Sequence, residues 1–346
     1  MKSQLEITGL TVRFPIMSRL MARLRGIENH EIDAVADVSL TVREGETYAL
    51  VGESGSGKST LARTVIGLVR ATPGSTILFD GRDLASMSPS VFKVHRRNMA
   101  MMFQDPIGSL SPRMTVGAQL IEPFLAHKLS DRDLEAECHR LLDMVSLPRD
   151  FAHRYPYELS GGQARRVGLA RSLALGPKLV IADEPTAGLD VSVQGEVLNL
   201  LNELQERLGL TLLIITHNLQ IVRHIAHRTG IMYLGRVIEE GPTNQTFQQP
   251  RHPYTQALLS AAPKPDPDSV QTRIELKGEI PSLARRPSGC EFHTRCPRAS
   301  DVCSINRPVE TVEGQRRYRC HFPLRAEEEN ALAVPGGSSL ENFQAD

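Results

Sequence analysis

The sequence predicts an α/β protein with a largely parallel central sheet. Residues 179–182 and 211–216 form short, continuously apolar runs, as expected for strands buried on both faces of a sheet. Helical spacing from about residue 193 to 208 separates them, and alternation of strand and helix implies parallel pairing. Another short strand, at residues 47–51, enters a glycine-rich turn that is followed by helical spacing at 61–68.

Two further regions complete the predicted core. Residues 5–14 and 36–42 alternate like strands and form its N-terminal side. Between Gln104 and about residue 175 the pattern changes to helical periods interrupted by prolines. This composition predicts a helical subdomain, at about 105–175, inserted into the α/β core.

The C-terminal third contains a change in composition. A stiff, polar linker at 263–268 ends a first domain of residues 1–262. A C-terminal extension of residues 263–325 follows and holds four of the five cysteines. Residues 326–346 have few apolar side chains, so we expect them to form a disordered tail.

Composition excludes several classes of protein. The 346 residues suggest about two domains. Lys+Arg 40 equals Asp+Glu 40, so the chain lacks the basic field that nonspecific nucleic-acid binding needs, and no nucleic-acid partner is expected. No run approaches the ~18 apolar residues of a membrane span, and the N-terminus lacks the apolar segment of a signal peptide. We therefore expect a cytosolic protein with reduced cysteines.

A phosphate-binding loop is the most specific motif. Residues 52–59 fit the pattern GxxxxGK[ST], in which backbone N–H groups curl around phosphate oxygens. Lys58 would reach the β- and γ-phosphates, and the Ser59 hydroxyl would ligate Mg²⁺. A glycine-rich turn that binds nothing is disfavoured by the strand before it and the helix after it. The predicted nucleotide-binding residues are Gly52, Ser54, Gly55, Ser56, Gly57, Lys58, Ser59 and Thr60.

Acidic side chains follow the apolar run at 179–182. Asp183 and Glu184 stand at the carboxyl end of this strand, where ligands of open α/β sheets bind. We assign Asp183 to the Mg²⁺ shell and Glu184 to the general base, a role worth about 10²–10⁴ in rate. The alternative is a solvated acidic strand end.

Two polar residues follow other strands. His217 comes after the strand at 211–216, where it could hydrogen-bond the γ-phosphate and the attacking water. A lone histidine is more often structural. Gln104 follows the apolar residues 99–103, and its amide could ligate Mg²⁺ or lie on a surface loop. The residues by themselves leave both readings of Gln104 open.

The order of these motifs resembles that of ABC-type ATPases over about residues 5–262. The resemblance implies a P-loop NTPase (RecA-like) core with an antiparallel β subdomain and an inserted helical subdomain. It also implies that ATP and Mg²⁺ are bound, and it assigns catalytic roles to Glu184, His217 and Gln104, with Gln104 as a Mg²⁺ ligand beside Ser59 and Asp183. The matching segments are Walker A at 52–59, the Q-loop at Gln104, the LSGGQ signature at 159–163, Walker B at 179–184, a D-loop ending in Asp190, and the switch His217.

The LSGGQ signature implies a second ATPase subunit. In the family, this segment contacts the γ-phosphate bound to a facing subunit, so two nucleotides lie between two ATPase domains. A glycine-rich helix start offers N–H groups and a positive end, which makes such an anion site plausible. A helix start that merely caps itself is the alternative. The resemblance assigns this contact to Ser160 and Gly162, and Gly161, Gln163 and Asp190 are further candidate nucleotide-binding residues.

Two positions are less regular. Phe14 falls where family aromatics stack on adenine, although a phenylalanine at a strand end is more often part of a core. Gly188 stands in the D-loop where the family usually has a non-glycine residue, which puts the rigidity of that loop in doubt.

The C-terminal part is similar to the second (F-type) ATPase of oligopeptide and dipeptide permeases. The similarity rests on the HPYT segment at 252–255 and on the cysteine-containing extension, together with residues 103–106 and 110–114. It implies a peptide importer, peripheral on the cytoplasmic face of the inner membrane. The implied partners are a related second ATPase, two transmembrane permease subunits and, indirectly, a substrate-binding protein. Nickel and other small-solute importers share this build.

Four cysteines of the extension resemble those of family members that hold a 4Fe-4S cluster. The gaps between them are five, six and sixteen residues, unlike the close pairs of most zinc ribbons. Zinc and unligated thiols are the alternatives, and His293 and His321 are additional candidate ligands that a cluster would not need. Cys138 lies on the apolar face of a predicted helix and is expected in the core. The four candidate ligands are Cys290, Cys296, Cys303 and Cys320.

Two other hypotheses concern location and class. Residues 16–25 place apolar side chains at helical spacing between arginines, so this segment could rest on a bilayer, although an ordinary insertion that packs on the core is favoured. A non-transport ABC ATPase is the rival function. Such proteins usually carry two cassettes, coiled coils or basic stripes, none of which this sequence shows. The intact Glu184 and His217 argue against a non-enzymatic subunit.

Overall fold

The computed structural model describes residues 2–17, 31–105, 107–129, 131–263 and 273–325. The predicted tail, nearly all of the predicted linker, and residues 18–25 of the candidate bilayer segment lie outside these ranges. The strands are β1 (Ser3–Pro15), β2 (Glu31–Arg43), β3 (Thr47–Val51), β4 (Thr76–Phe79), β5 (Arg82–Asp83), β6 (Met99–Met102), β7 (Leu179–Asp183), β8 (Thr211–Thr216), β9 (Arg228–Tyr233), β10 (Arg236–Pro242), β11 (Thr311–Glu313) and β12 (Arg316–Tyr318).

Helices connect the strands of the core and make up most of the inserted region. They are α1 (Lys58–Val65), α2 (Pro89–Arg96), α3 (Val116–Ala126), α4 (Leu134–Met144), α5 (Gly161–Leu173), α6 (Val191–Leu208), α7 (Leu219–Ile225), α8 (Thr243–Gln248), α9 (Pro253–Ala261) and α10 (Asp301–Ile305). Short 3₁₀ turns lie at Arg149–His153, Pro156–Glu158 and Leu283–Arg285. Among the described residues, no helix is both long enough and apolar enough to cross a membrane.

Two sheets form the core. The main sheet has the order β11-β12-β10-β9-β3-β8-β7-β6, and its segment from β6 to β9 is parallel. A smaller antiparallel sheet has the order β2-β1-β4-β5. The predicted α/β class and the predicted antiparallel β subdomain are therefore confirmed. β3 and β8 have the residue bounds expected from their apolar runs.

Alternate residues of the central strands face different cores. In β7, Val180 and Ala182 pack against the inserted helices, whereas Ile181 packs on the side of the antiparallel sheet and α1. Because successive side chains of a strand point to opposite faces, continuous apolar runs bury both faces of the main sheet. These strands thereby hold their carboxyl ends at one edge, where the candidate site lies.

The helical subdomain consists of α3, α4 and α5. Thr115 and Asp133 begin α3 and α4 as N-caps, each accepting backbone N–H groups of the first turn. Leu120 and Phe124 of α3 are fully buried in a first hydrophobic core, which lies between the inserted helices and the main sheet. Cys138 is buried in the same core, as its position on the apolar face of α4 predicts.

Residues of the C-terminal extension continue the main sheet. β12 pairs antiparallel with β10, and β11 completes a short hairpin at that edge. Buried ion pairs reinforce the junction: Arg316 lies 3.0 Å from Glu239, and Arg317 contacts Glu240. Besides the core under the inserted helices and the core under the antiparallel sheet, a third hydrophobic core lies between the extension and the main sheet. It includes Phe292.

Removing one buried leucine tests the packing of the helical subdomain. We expect Leu120→Ala to lower the free energy of unfolding by about 2–5 kcal/mol, because the deletion leaves a cavity beside fully buried neighbours. Leu125→Ala on the same helix is the matched control, since that side chain is 51% exposed. Urea unfolding followed by circular dichroism gives both values, and equal losses would contradict this packing.

Candidate nucleotide site

A cavity of about 740 Å³ opens at the carboxyl edge of the main sheet. The loops after β3, β6, β7 and β8 contribute to its wall, because the carboxyl ends of parallel strands meet at one edge. Phe14, near the end of β1, also lines it and is partly exposed. The predicted site residues that line the cavity are Phe14, Gly52, Ser54, Gly55, Gly57, Lys58, Ser59, Thr60, Gln104, Glu184 and His217.

The loop after β3 curls around the ammonium group of Lys58. Nζ of Lys58 donates to the carbonyl oxygens of Gly52, at 2.8 Å, and Glu53, at 2.9 Å, and to the Ser56 hydroxyl, at 3.2 Å. Burial lowers the pKa of Lys58, while the carboxylates of Glu184 and Asp183 act in the opposite direction. The loop thus presents a partly desolvated cation, where electrostatic attraction to a phosphate is strong.

Two glycines of this loop are required by close backbone contacts. A Cβ atom at Gly52 would lie 2.1 Å from the carbonyl oxygen of Met232. At Gly57, whose φ is +99°, it would lie 2.2 Å from the carbonyl oxygen of Ala34. Met232 belongs to β9 and Ala34 to β2, so the backbones of both sheets contact the backbone of the loop. The motif needs glycine here for the fold as well as for phosphate.

Oxygen ligands suited to Mg²⁺ lie beside the loop. Oγ of Ser59 donates to Oδ1 of Asp183 at 3.0 Å. Asp183 is almost fully buried, and burial raises its pKa above the usual range for an aspartate, although the Ser59 hydrogen bond and Arg63 oppose this. Gln104 lies exposed on the wall of the same cavity. Hydroxyl, carboxylate and amide oxygens form a donor set that fits a hard cation such as Mg²⁺.

Glu184 has an unusual backbone conformation. Its φ is +51°, in the left-handed region that non-glycine residues rarely adopt, at a cost of about 1–3 kcal/mol. Its N–H donates to the carbonyl oxygen of Ile215 at 2.8 Å, which helps to hold this conformation. Oε1 lies 2.7 Å from Nδ1 of His217, and Oε2 accepts from the Thr216 hydroxyl at 3.2 Å. The carboxylate is therefore fixed between β7 and β8.

Arg165 is a site residue that the sequence analysis missed. It lies on α5, is 2% exposed, and donates to the carbonyl oxygens of Glu184 at 3.1 Å and Ala187 at 2.6 Å. Burial lowers its pKa, against the attraction of Asp105 and Glu184. An arginine two positions after the LSGGQ signature reads as a solvent-facing helix residue, so no sequence signal marks this contact.

The LSGGQ signature lies outside the cavity. Ser160 begins α5 as a capping box: its hydroxyl accepts from the Gln163 N–H, and the Gln163 side chain accepts from the Ser160 N–H. Gly162 lies close to Val193, because a Cβ atom there would be 2.6 Å from its Cγ1. Asp190 caps α6 through the Val193 N–H at 3.0 Å. Ser160 itself is exposed, and its helix start is available to another molecule.

The departure at Gly188 has a conformational reason. Its φ is +75°, which favours glycine over any other residue. The D-loop takes this turn just before Asp190 begins α6. A glycine at this position therefore fits the bend of the loop.

Two leucines that the sequence analysis missed complete the wall of the nucleotide cavity. Leu258 belongs to α9, and Leu283 lies in the C-terminal extension. Both leucines come after all of the ATPase motifs in the sequence. Leu258 follows the HPYT segment and Leu283 lies in the cysteine-containing extension, but neither sequence feature assigns a leucine to the nucleotide site.

The four cysteines of the extension line one small cavity. It has a volume of about 10 Å³, and Cys290, Cys296, Cys303 and Cys320 all contribute to its wall together with His252. Burial raises the pKa of Cys290 to about 11 and that of Cys320 to about 12, and the neighbouring cysteines add to both shifts.

The predicted cluster is not confirmed by this arrangement. Within the described residues, no group of three or more His, Cys, Asp or Glu side chains is arranged to hold a metal ion. His293 and His321 line the cavity, and each has one ring nitrogen bonded to a backbone carbonyl. His252 is different: Nδ1 accepts from the Tyr254 N–H, and Nε2 is buried without a hydrogen-bond partner. The donor set fits a metal centre, whereas the present spacing does not enclose one.

The close contact at Gly52 generates a prediction. We expect Gly52→Ala to abolish detectable ATP binding, because its Cβ would overlap a carbonyl oxygen of β9 and push the loop out of place. Gly195→Ala on α6 is the control, since nothing lies within 4 Å of a Cβ atom there. Isothermal titration calorimetry with ATP measures both variants. Wild-type affinity in Gly52→Ala would contradict the close approach.

Family profiles match two regions of the chain. The family described as "ABC transporter" matches residues 35–187, and the family described as "Oligopeptide/dipeptide transporter, C-terminal region" matches residues 238–303. The probable peptide ABC transporter ATP-binding protein y4tS of Sinorhizobium fredii is 44% identical over 92% of this chain and 89% of its own length. The oligopeptide transport ATP-binding protein AppF of Bacillus subtilis is 46% identical over 88% of this chain and 92% of its own.

Solved structures support the same assignment. The ATP-binding cassette MJ0796, a dimer in a post-hydrolysis state bound to ADP and Pi, is 27% identical, with a TM-score of 0.60 over 69% of this chain and 98% of its own. CbiO1 from Clostridium perfringens, part of the ABC transporter complex cbiONQ, is 27% identical, with a TM-score of 0.61 over 71% of this chain and 91% of its own. The chain belongs to the ATP-binding proteins of ABC transporters, in the group that carries the oligopeptide/dipeptide transporter C-terminal region.

Proposed function

We propose that this chain hydrolyses ATP to drive the uptake of oligopeptides or dipeptides across the cytoplasmic membrane. The match of residues 238–303 to the C-terminal region of oligopeptide/dipeptide transporters carries the substrate class. The names of the relatives from Sinorhizobium fredii and Bacillus subtilis support it. A related importer of nickel or another small solute is the alternative within the family, and a non-transport ABC ATPase is the alternative outside it.

The proposed assembly places the chain on the cytoplasmic face of the inner membrane. Its partners are a second, related ATPase, so that the pair is a heterodimer, and two transmembrane permease subunits. A substrate-binding protein acts indirectly, through the permease. The dimeric cassette MJ0796 supports pairing. The resemblance of the C-terminal part to F-type permease ATPases is the reason to expect a related partner.

The loop after β3 and the residues beside it bind Mg-ATP. The backbone N–H groups of residues 52–60 and the Lys58 ammonium bind the phosphates. Ser59, Asp183 and Gln104 would hold Mg²⁺ through their side-chain oxygen atoms. The hydrogen bond between Ser59 and Asp183 supports this, because it brings two ligands of the proposed ion together. Phe14, which lines the same cavity, would stack on adenine.

Glu184 is the general base of ATP hydrolysis, and His217 is its hydrogen-bonding partner. His217 orients the carboxylate and hydrogen-bonds the γ-phosphate, and the 2.7 Å contact between the two side chains supports this pairing. The Thr216 hydroxyl holds the second carboxylate oxygen. Arg165 supports the backbone at Glu184, whose left-handed conformation aims the side chain into the cavity.

Closure of the dimer completes the site. Ser160, Gly161, Gly162 and Gln163 of this chain would contact the γ-phosphate bound by the facing subunit, and Asp190 would line the interface. The exposure of Ser160, and of Val191 at 85%, supports a partner surface here. ATP drives closure only if it binds the closed state more tightly than the open one. That difference in affinity is what moves the permease.

Glu184→Gln tests the mechanism. The amide keeps the size of the side chain but cannot take a proton from water, so we expect hydrolysis to fall about 10²–10⁴-fold while ATP is retained and the dimer stays closed. Phosphate release and size-exclusion chromatography with light scattering measure the two effects. Glu203→Gln on α6 is the control, because that residue pairs with Arg207 at the surface. Wild-type turnover in Glu184→Gln would refute the base assignment.

The same variant tests the transported substrate. Cells whose copy of this chain carries Glu184→Gln should lose uptake of labelled di- and oligopeptides, whereas wild-type cells take them up. Loss of nickel uptake with normal peptide uptake would favour the alternative importer. If neither uptake changes and no membrane protein copurifies, the non-transport function is favoured.

We further propose that Cys290, Cys296, Cys303 and Cys320 hold a 4Fe-4S cluster, with zinc as the alternative. Their position around one cavity and the unpartnered Nε2 of buried His252 support a group that accepts hydrogen bonds, as cluster sulfurs do. The cysteines would have to spread to admit it. A cluster there would add its binding energy to the folding of the extension.

Metal analysis of anaerobically purified protein tests the cluster. We expect about four iron and four acid-labile sulfide per chain, both lost in Cys290→Ser. Cys138→Ala is the control, because that cysteine is buried in the helical subdomain. Zinc without sulfide would establish the alternative, and a colourless protein without metal would overturn both.

A further inference from the structure

A glutamate of the phosphate loop is held by the C-terminal extension. Glu53 accepts two hydrogen bonds from Arg295: one guanidinium nitrogen lies 2.8 Å from Oε2 and the other 3.1 Å from Oε1. The pair is bidentate, so it fixes the direction of the glutamate as well as its position. It joins residues that are 242 positions apart in the sequence.

The surroundings make this ion pair more than a surface contact. The Arg295 side chain is 8% exposed and that of Glu53 22% exposed, so water screens the pair poorly. The guanidinium lies 6.0 Å from the centre of the Tyr233 ring. Tyr233 packs in turn against Tyr254 and Phe292, with ring centres 4.7 and 5.4 Å away. Arg295 therefore approaches the loop from a rigid aromatic cluster.

The backbone of Glu53 is held as well. Its N–H donates to the Tyr254 hydroxyl at 3.1 Å, and its carbonyl oxygen accepts from Nζ of Lys58 at 2.9 Å. One residue thus connects the extension to the lysine that reaches for phosphate. If Glu53 were released, the carbonyl that holds Lys58 would lose its fixed position.

The extension also reaches the cavity directly. Leu283, which precedes Phe292 and Arg295 in the extension, lines the nucleotide cavity. The extension and the loop therefore meet at more than one point. A rearrangement of the extension would therefore change the wall of the nucleotide cavity and the position of the phosphate loop.

We propose that Arg295 is a positioning residue of the ATP site, which acts by holding Glu53 and, through it, Lys58. The C-terminal extension is then a working part of the nucleotide site rather than an attachment to it. This inference rests on the ATP site described above. It needs no assumption about the transported solute or about the cysteines.

A double-mutant cycle on the full-length protein tests the proposal. Arg295→Gln, Glu53→Gln and the double variant are titrated with ATP in the calorimeter, and their thermal unfolding is measured. We expect each single change to weaken ATP binding about tenfold, and the double variant to be no weaker than either, because all three lose the same interaction. Arg295→Lys should restore part of the affinity, since it keeps the charge but not the two-pronged contact.

Arg251→Gln is the matched control. Arg251 makes a comparable two-pronged pair with Glu313, at 2.8 and 3.0 Å, which ties the extension to the core without touching the phosphate loop. We expect it to change thermal stability but not ATP affinity. Because Glu53→Gln leaves the extension intact, an equal loss in that variant also separates loop positioning from any effect on the cysteines.

Three outcomes would overturn the proposal. They are unchanged ATP affinity in Arg295→Gln, losses that add in the double variant, and an equal loss in Arg251→Gln. If the unsubstituted protein itself bound no ATP, the site assignment would fail instead. The two failures are therefore distinguishable.

Discussion

The phosphate loop exists in this form because its backbone touches two sheets with no side chain between them. Gly52 meets the carbonyl oxygen of Met232 on β9, and Gly57 meets that of Ala34 on β2. The loop is thus held between the main sheet and the antiparallel sheet. The position of Lys58, the start of α1 and the pairing of Ser59 with Asp183 all depend on this placement. A change in the relative position of the two sheets would therefore displace the phosphate loop directly.

Charge burial is the second constraint on the site. Lys58, Asp183 and Arg165 are all buried and lie within one region of the fold. Burying a charge is costly unless opposite charges or hydrogen bonds compensate it. Here the two terminal guanidinium nitrogens of Arg165 donate to backbone carbonyls, and Asp183 accepts from a hydroxyl. The site is thus organised largely by hydrogen bonds to backbone carbonyls and between side chains.

Local patterns in the sequence predict the parts of the fold that local physics decides. The apolar runs at Thr47–Val51 and Thr211–Thr216 give strands with the expected bounds, and the cysteine spacing leads to four thiols around one cavity. Contacts between distant segments were not predictable. An arginine such as Arg165 or Arg295 looks like a solvent-facing residue until tertiary structure brings a carbonyl or a carboxylate to it. Gly188 departs from the usual residue of the family at its position, and its positive φ supplies the reason.

The hairpin of β11 and β12 has a consequence for any attempt to shorten the protein. A chain cut after β10 would leave the backbone groups of that strand that face β12 unpaired at an open sheet edge, a template for intermolecular pairing. Glu239 and Glu240 would also lose Arg316 and Arg317, leaving two carboxylates in a low-dielectric interior without those cations. A minimal cassette made by truncation would therefore tend to aggregate, and solubility would require replacing both glutamates and blunting the edge.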